Sequence, residues 1–342
     1  MPSHKFEELQ VSSKMPGFFH TLSQFFPPKP KFSESNVPDL HGKVYIVTGS
    51  NTGVGKELAH ILYSKNAKVY IAVRSEEKAV KAIEDIQKAA PNSTGQLEFL
   101  RLDLANLATI QASAQLFLSK ETKLNVLFNN AGVMNPAPGS KTVQGYELQL
   151  GVNNIGPFLF TKLLTPILIS TAKTEPSSTG RVVWVSSSGA ELGSPKPGGI
   201  PIDNLDYHDD KSSLYKYNVS KAGNYLHAVE YAQRHKADGV VSVALNPGNL
   251  DSDLTRTMGS VTKFIIRRLL LYPPIYGAYT ELFAGLSPMV TMEKWGKWIV
   301  PWGNFADIRK DLLDATKTEA EGGSGIGRKF WEWNEEQVKS FA

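Results

Sequence analysis

The chain has 342 residues, 41% hydrophobic and 20% charged, the balance of a globular protein with a sizeable core. Its net charge of +4 comes from mixed charges with no long basic block, which argues against nucleic-acid binding. The absence of cysteine excludes disulfides, thiolate zinc sites and cysteine nucleophiles, and the seven histidines show no metal-ligand spacing.

Residues 1–40 form an N-terminal arm without the charged start and apolar core of a secretory signal. Its aromatic stretch "MPGFFHTLSQFFPPKPKF" (15–32) is read as packing on the body, with weak contact at a membrane interface as the alternative. No run of about 18 apolar residues occurs, so no transmembrane helix is expected, and the chain is read as cytoplasmic.

From residue 41 onward, short β-branched runs alternate with helical patterns. Strands are expected at 43–49, 68–74, 96–104, 124–130, 181–187 and 240–248. Helices are expected at 55–65, from about 75 to 90, up to about 120, and at 143–173 and 214–236. This alternation means βαβ units and a parallel sheet, and near-continuous apolar strands fit a sheet covered on both faces. The expected fold class is α/β, a Rossmann-type doubly wound parallel sheet in one domain, 41–342.

Three segments stand apart. Residues 189–213, rich in Gly, Pro and Asp, read as a long functional or mobile loop. Residues 250–300 carry short helices and many aromatics, and are expected to form a substrate lid or a plain packing subdomain. The glycines of "EGGSGIGRKFWEW" (321–333) follow no strand and are read as a loop capping the last helix.

"TGSNTGVG" (48–55) joins the first strand to the first helix, with glycines at Gly49, Gly53 and Gly55. Glycines there let the backbone approach a pyrophosphate, and the helix N-terminus offers free N–H groups. The second strand ends at Arg74, where an arginine accommodates a 2′-phosphate, so NADPH is the expected cofactor. Asp103, after the third strand, is placed either to accept from an adenine amino group or to cap a helix.

In order along the chain, "TGSNTGVG", "LDL" (102–104), "NNAG" (129–132), "VNNIG" (152–156), "VSSS" (185–188), "YNVSK" (217–221) and "NPG" (246–248) resemble the short-chain dehydrogenase/reductase superfamily. The similarity is greatest to its retinol-dehydrogenase-like and fungal branches, through "RSEEKA" and "KFWEWNEEQV". The resemblance implies a nicotinamide cofactor and a catalytic tetrad of Asn153, Ser187, Tyr217 and Lys221. Ser186 and Ser188 stand as alternatives to Ser187, and Asn154 to Asn153. The cofactor contacts it implies are Gly49, Asn51, Gly53, Val54 and Gly55; Arg74, Asp103, Asn130, Ala131 and Gly132; Tyr217 and Lys221; and Pro247, Gly248 and Ser252. It also implies homodimers or tetramers through the helices at 106–121, 143–173 and 214–236, surfaces that the arm and the C-terminal extension are placed to block. Ser187 and Tyr217 lie 30 positions apart, a longer spacing than many members have, and the extra length is the 189–213 loop.

The chemistry of "YKYNVSK" (215–221) follows from helix geometry. A tyrosine with a pKa near 10 is hard to reload as a base, and a nearby ammonium lowers that pKa. Residues four apart share a helix face, so Lys221 sits beside Tyr217, whereas Tyr215 is six positions away and off that face. Expected, then, is an NADPH-dependent oxidoreductase that interconverts a carbonyl and an alcohol on a largely apolar small molecule. A non-redox cyclase or isomerase, or an NADP-binding regulator, is the alternative on the same fold.

Overall fold

The structure is a computed structural model that describes residues 23–251 and 271–342. Its eight strands are β1 (Val44–Thr48), β2 (Lys68–Val73), β3 (Gln96–Arg101), β4 (Val126–Asn129), β5 (Arg181–Val185), β6 (Val241–Leu245), β7 (Trp298–Val300) and β8 (Asn304–Ala306). They form one sheet in the order β3-β2-β1-β4-β5-β6-β7-β8, parallel through β7, with β8 antiparallel at the edge. Strands β1, β4, β5 and β6 are buried along their whole length, which explains their unbroken apolar sequences.

Helices cover both faces. On one lie α1 (Gly53–Ser64), α2 (Glu76–Ala89) and, later in the chain, α6 (Pro274–Leu286). Leu58, Ala79, Leu282 and Phe283 from these helices pack with Val47, Phe128 and Val183 of the sheet. On the other face lie α3 (Leu107–Lys120), α4 (Gly156–Thr174) and α5 (Ser213–Arg234). Phe117, Leu159 and Val219 pack there with Ile46, Leu127 and Trp184. Strand order reverses between β1 and β4, which opens the crevice where such sheets hold ligands.

The six expected strands are present, and two more follow them. β7 and β8 have only three residues each, too few for a periodic signal. The helix expected over 143–173 begins at Leu148 and passes through a π-helical turn, Gly151–Ile155, before α4. The stretch Leu148–Thr174 is long and apolar enough by length and composition to cross a membrane, yet most of it is buried inside the fold. Within the expected 250–300 lid, α6 instead packs under the sheet as a core helix, because Ala278, Leu282 and Phe283 need an apolar partner. The rest of that expectation, with Ser252, falls on 252–270 and lies outside the described residues.

The described part of the arm packs on the body. Val37 and Leu40 join the core, and Phe32 meets the Phe283 ring edge-on at 6.2 Å. At the other end, Gly325 in the left-handed conformation (φ 64°) starts α7 (Ile326–Val338). The loop expected over 321–333 therefore ends at Gly325, and the aromatics after it are helical. Phe330 and Trp331 of α7 close over the back of α5, where His227 stacks on Phe330 at 4.8 Å.

Candidate active site

The turn after β1 leaves no room for side chains. Gly49 is left-handed (φ 69°), and a Cβ there would lie 2.9 Å from the Ala131 Cα. A Cβ on Gly55 would lie 2.5 Å from the Asn130 amide nitrogen and 3.0 Å from the Gly49 carbonyl. Asn130 itself donates to the Thr48 carbonyl at 2.7 Å, and the Ala131 N–H donates to the Thr48 hydroxyl at 2.9 Å. The "NNAG" segment thus props the turn from behind. Thr52 precedes α1 without capping it through its side chain, so the first-turn N–H groups remain available to an anion.

Arg74 follows β2 directly, and β2 is tied to the turn by the Gly49 N–H bond to the Ala72 carbonyl, 2.9 Å. Its guanidinium is exposed and has no hydrogen-bond or ion-pair partner among the described residues. Asp103 accepts from the Ala105 N–H at 3.0 Å, while Asn106 takes the N-cap position of α3. Asp103 therefore orders its own turn and does not cap α3, whose N-cap is Asn106. Pro247 and Gly248 follow β6; Gly248 has φ 98°, and a Cβ there would strike the Trp302 ring at 2.6 Å.

Tyr217 and Lys221 lie in the first turns of α5, 8% and 4% exposed. Lys221 Nζ sits 5.7 Å from the Tyr217 ring centroid and donates to the Val185 carbonyl at 3.0 Å. Burial raises the Tyr217 phenol, and a hydrogen bond with Ser187 opposes that rise. Burial lowers the Lys221 ammonium to about 8. Tyr215 packs partly buried against the core instead.

The three serines after β5 separate by their bonds. Ser186 is buried and donates to the Lys221 carbonyl at 2.6 Å, a tie between strand and helix. Ser188 precedes the short helix Gly189–Leu192. Ser187 is the one beside the Tyr217 hydroxyl, and its Oγ accepts from the Gly189 N–H at 3.1 Å.

The two asparagines separate likewise. Asn154 is spent between helices, donating to the Ser220 carbonyl and to Asn224, each at 2.8 Å. Asn153 pairs with the Val133 backbone, accepting at 2.8 Å and donating at 3.0 Å. A Cβ on Gly132 would lie 3.2 Å from Lys221 Nζ and 3.3 Å from Asn153 Oδ1, so those two atoms border the same space. The π-helical turn that carries Asn153 aims it there, and such turns are frequent at functional sites.

A family model described as short chain dehydrogenase matches residues 43–198. A short-chain dehydrogenase/reductase of Phomopsis amygdali is 56% identical over 333 residues, covering 95% of this chain and 99% of its own length. The chain belongs to the short-chain dehydrogenase/reductase family. Another member, from Neocamarosporium betae, is 51% identical over 322 residues, 93% of each chain. Among solved structures, the Pseudomonas aeruginosa RhlG/NADP active-site complex matches with a TM-score of 0.61 at 22% identity, over 80% of this chain and 97% of its own. The NADPH-bound carbonyl reductase from chicken fatty liver matches with a TM-score of 0.56 at 21% identity, over 76% and 95%. These two likenesses support the Rossmann-type fold.

In this short-chain dehydrogenase/reductase, the 189–213 loop is docked. Arg309 donates to the carbonyls of Glu191 at 2.6 Å and Ser194 at 3.2 Å. Asp311 holds the same guanidinium and accepts from the Gly198 N–H at 2.9 Å. Glu191 in turn accepts from Gln24 of the arm at 2.7 Å and from Trp298 of β7 at 3.1 Å. Gln24 also accepts from Asn246, just before Pro247, at 2.8 Å. None of these residues was a sequence candidate. Only the fold brings Gln24, Glu191, Asn246 and Arg309 together, and no local pattern signals it.

A cavity of about 570 Å³ lies between α4, α5 and α7, lined by Phe158, Thr165, Trp184, Tyr231 and Trp331. It contains none of the tetrad candidates. No metal-ligand cluster of histidines and carboxylates occurs among the described residues.

Proposed function

We propose that this protein is an NADPH-dependent oxidoreductase that interconverts a carbonyl and an alcohol on a largely apolar small molecule, with Tyr217 as general acid and base. The observation that carries the reading is the convergence of Ser187, Tyr217, Lys221 and Asn153 beside a turn too tight for side chains. The turn fits a pyrophosphate: Gly49 and Gly55 allow close backbone approach, and α1 presents free N–H groups. Bound there, a nicotinamide cofactor supplies or accepts the hydride.

The remaining work falls to side chains. Ser187 holds the substrate oxygen by a hydrogen bond, next to the Tyr217 hydroxyl. Tyr217 gives that oxygen a proton during reduction and takes it back during oxidation. Burial alone makes a phenolate costly, and the Lys221 ammonium offsets that cost. Asn153 holds the backbone that borders Lys221 in register. Arg74, exposed and unpartnered beside the turn, meets the 2′-phosphate of NADPH. Solved structures of similar fold hold NADP, NADPH and NADH alike, so the preference rests on Arg74. Support for an apolar substrate comes from the sequence of 252–270, with Phe264, Ile265, Ile266, Leu269 and Leu270.

The test follows NADPH fluorescence over a panel of ketones and aldehydes. Oxidation of NADPH is expected with at least one carbonyl, and Tyr217→Phe should lower turnover by about 10² or more while cofactor binding persists. Tight NADPH binding without oxidation by any carbonyl would overturn the reading in favour of a regulator or a non-redox enzyme.

A further inference from the structure

One side-chain amide from the N-terminal arm bridges the residues that follow two neighbouring strands. Gln24 is buried, and its Nε2 donates to the Glu191 carboxylate at 2.7 Å. Its Oε1 accepts from the Asn246 amide at 2.8 Å. Glu191 lies in the short helix Gly189–Leu192, which follows β5 and Ser187. Asn246 follows β6 directly and precedes Pro247 and Gly248. Strands β5 and β6 pair side by side, so Gln24 reaches from the exit of one to the exit of the other.

The directions of these bonds are set by groups that have no choice. The Gly248 N–H can only donate, and it donates to Asn246 Oδ1 at 3.0 Å. The Asn246 Nδ2 is then left to face Gln24, which must meet it with oxygen. That turns the Gln24 Nε2 toward Glu191. Glu191 takes it on the oxygen that also accepts from Trp298 Nε1 at 3.1 Å, and its other oxygen accepts from the Arg309 N–H at 3.2 Å. A run of directional bonds thus leads from the Gly248 backbone, through Gln24, to the helix after Ser187. At that end the Gly189 N–H donates to the Ser187 hydroxyl at 3.1 Å. Burying an amide is unfavourable unless both its ends are bonded, and here both are.

We propose that Gln24 is a positioning residue for the candidate active site, a clasp that holds the Ser187 turn and the Pro247–Gly248 turn at a fixed separation. The inference rests on the role given to Ser187 under the proposed function and on the cofactor contacts expected at Pro247 and Gly248. Filling space would not require an amide. An apolar side chain of the same length would occupy the place but withdraw one bond each from Asn246 and Glu191. Affinity for a phosphate-bearing cofactor lies elsewhere. The glycine turn after β1 and Arg74 after β2 are separated from β6 by β4 and β5. Loss of the clasp should therefore act on turnover more than on cofactor binding.

Gln24→Met keeps the length and removes both bonds. Hydrogen exchange read by mass spectrometry on the full chain should show residues 189–194 and the segment carrying Gly248 exchanging faster by about tenfold, the effect of one lost hydrogen bond. With NADPH and a reducible carbonyl, kcat should fall about tenfold while the NADPH Kd stays within about threefold, because small displacements at a reacting centre are costly. A role confined to anchoring the arm would lower the melting temperature and leave both the exchange and kcat as in the wild type. Gln24→Asn, one methylene too short to reach both partners, serves as the second variant. Unchanged exchange in both segments, or an unchanged kcat, in whichever variant folds overturns the proposal. Failure of the wild type to reduce any carbonyl would count against the proposed function, whereas hydrogen exchange judges the clasp independently of turnover.

Discussion

The Lys221 ammonium and the Asn153 carboxamide oxygen converge on one backbone position. A methyl on Gly132 would lie 3.2 Å from the first and 3.3 Å from the second. Both side chains are anchored, Lys221 on the Val185 carbonyl and Asn153 on the Val133 backbone, so neither yields freely. Gly132→Ala should displace Lys221 by a few tenths of an ångström and lower turnover about tenfold, since small misplacements at a reacting centre are costly. Steady-state kinetics checks this, with a melting curve to establish that the fold is intact.

Arg74 supplies the cofactor prediction. It is exposed, unpartnered among the described residues, and one residue past the strand beside the phosphate turn. Arg74→Ala should weaken NADPH by about tenfold or more, the worth of a charge-assisted bond, and leave NADH nearly unchanged. Cofactor titrations by fluorescence decide the matter, and equal losses for both would contradict the 2′-phosphate contact.

Arg309 supplies the prediction for the loop. It fastens 189–213 by donating to the carbonyls of Glu191 and Ser194. Arg309→Ala leaves those acceptors and Asp311 without their partner. The expected cost is about 2–3 kcal/mol of stability, read from chemical denaturation. If the loop walls the substrate pocket, KM for the carbonyl should rise more than kcat falls.

His227 supplies a pH prediction. It is buried among Phe158, Trp184, Phe330 and Trp331, and both ring nitrogens lack a hydrogen-bond partner. Burial lowers its pKa from 6.5 to about 3. Between those values the unfolded chain binds a proton that the folded chain refuses, so stability falls as pH drops below the unfolded value. From pH 6.5 to pH 5 that loss is about 2 kcal/mol. His227→Leu should remove it, and urea denaturation near neutrality and near pH 5 should show a smaller acid loss in the variant by roughly that amount.

What the sequence made legible was whatever a short-range pattern carries. The six apolar strands announced the sheet, and the glycines of 48–55 announced the turn. Four-residue spacing put Tyr217 beside Lys221 and set Tyr215 aside, as the structure has them. Neighbours of one type were harder. Ser186 and Ser187, like Asn153 and Asn154, differ in which way the backbone turns them, and the π-helical turn at Asn153 has no sequence signature. Contacts across the fold were out of reach: Arg309 meets Glu191 across 118 positions. The apolar richness of 274–286 suggested a lid as readily as a core helix, and only its packing under the sheet distinguishes them.

The aromatic closure of α5 by α7 has a consequence for the nascent chain. Tyr217 and Lys221 sit on a helix whose rear wall is Phe330 and Trp331, about a hundred residues downstream. During translation β1 to β6 and the glycine turn emerge well before α7, and until then His227 and Phe158 lack the cover of Phe330 and Trp331. The rear packing of the helix that carries Tyr217 and Lys221 is thus completed only after α7 has been made.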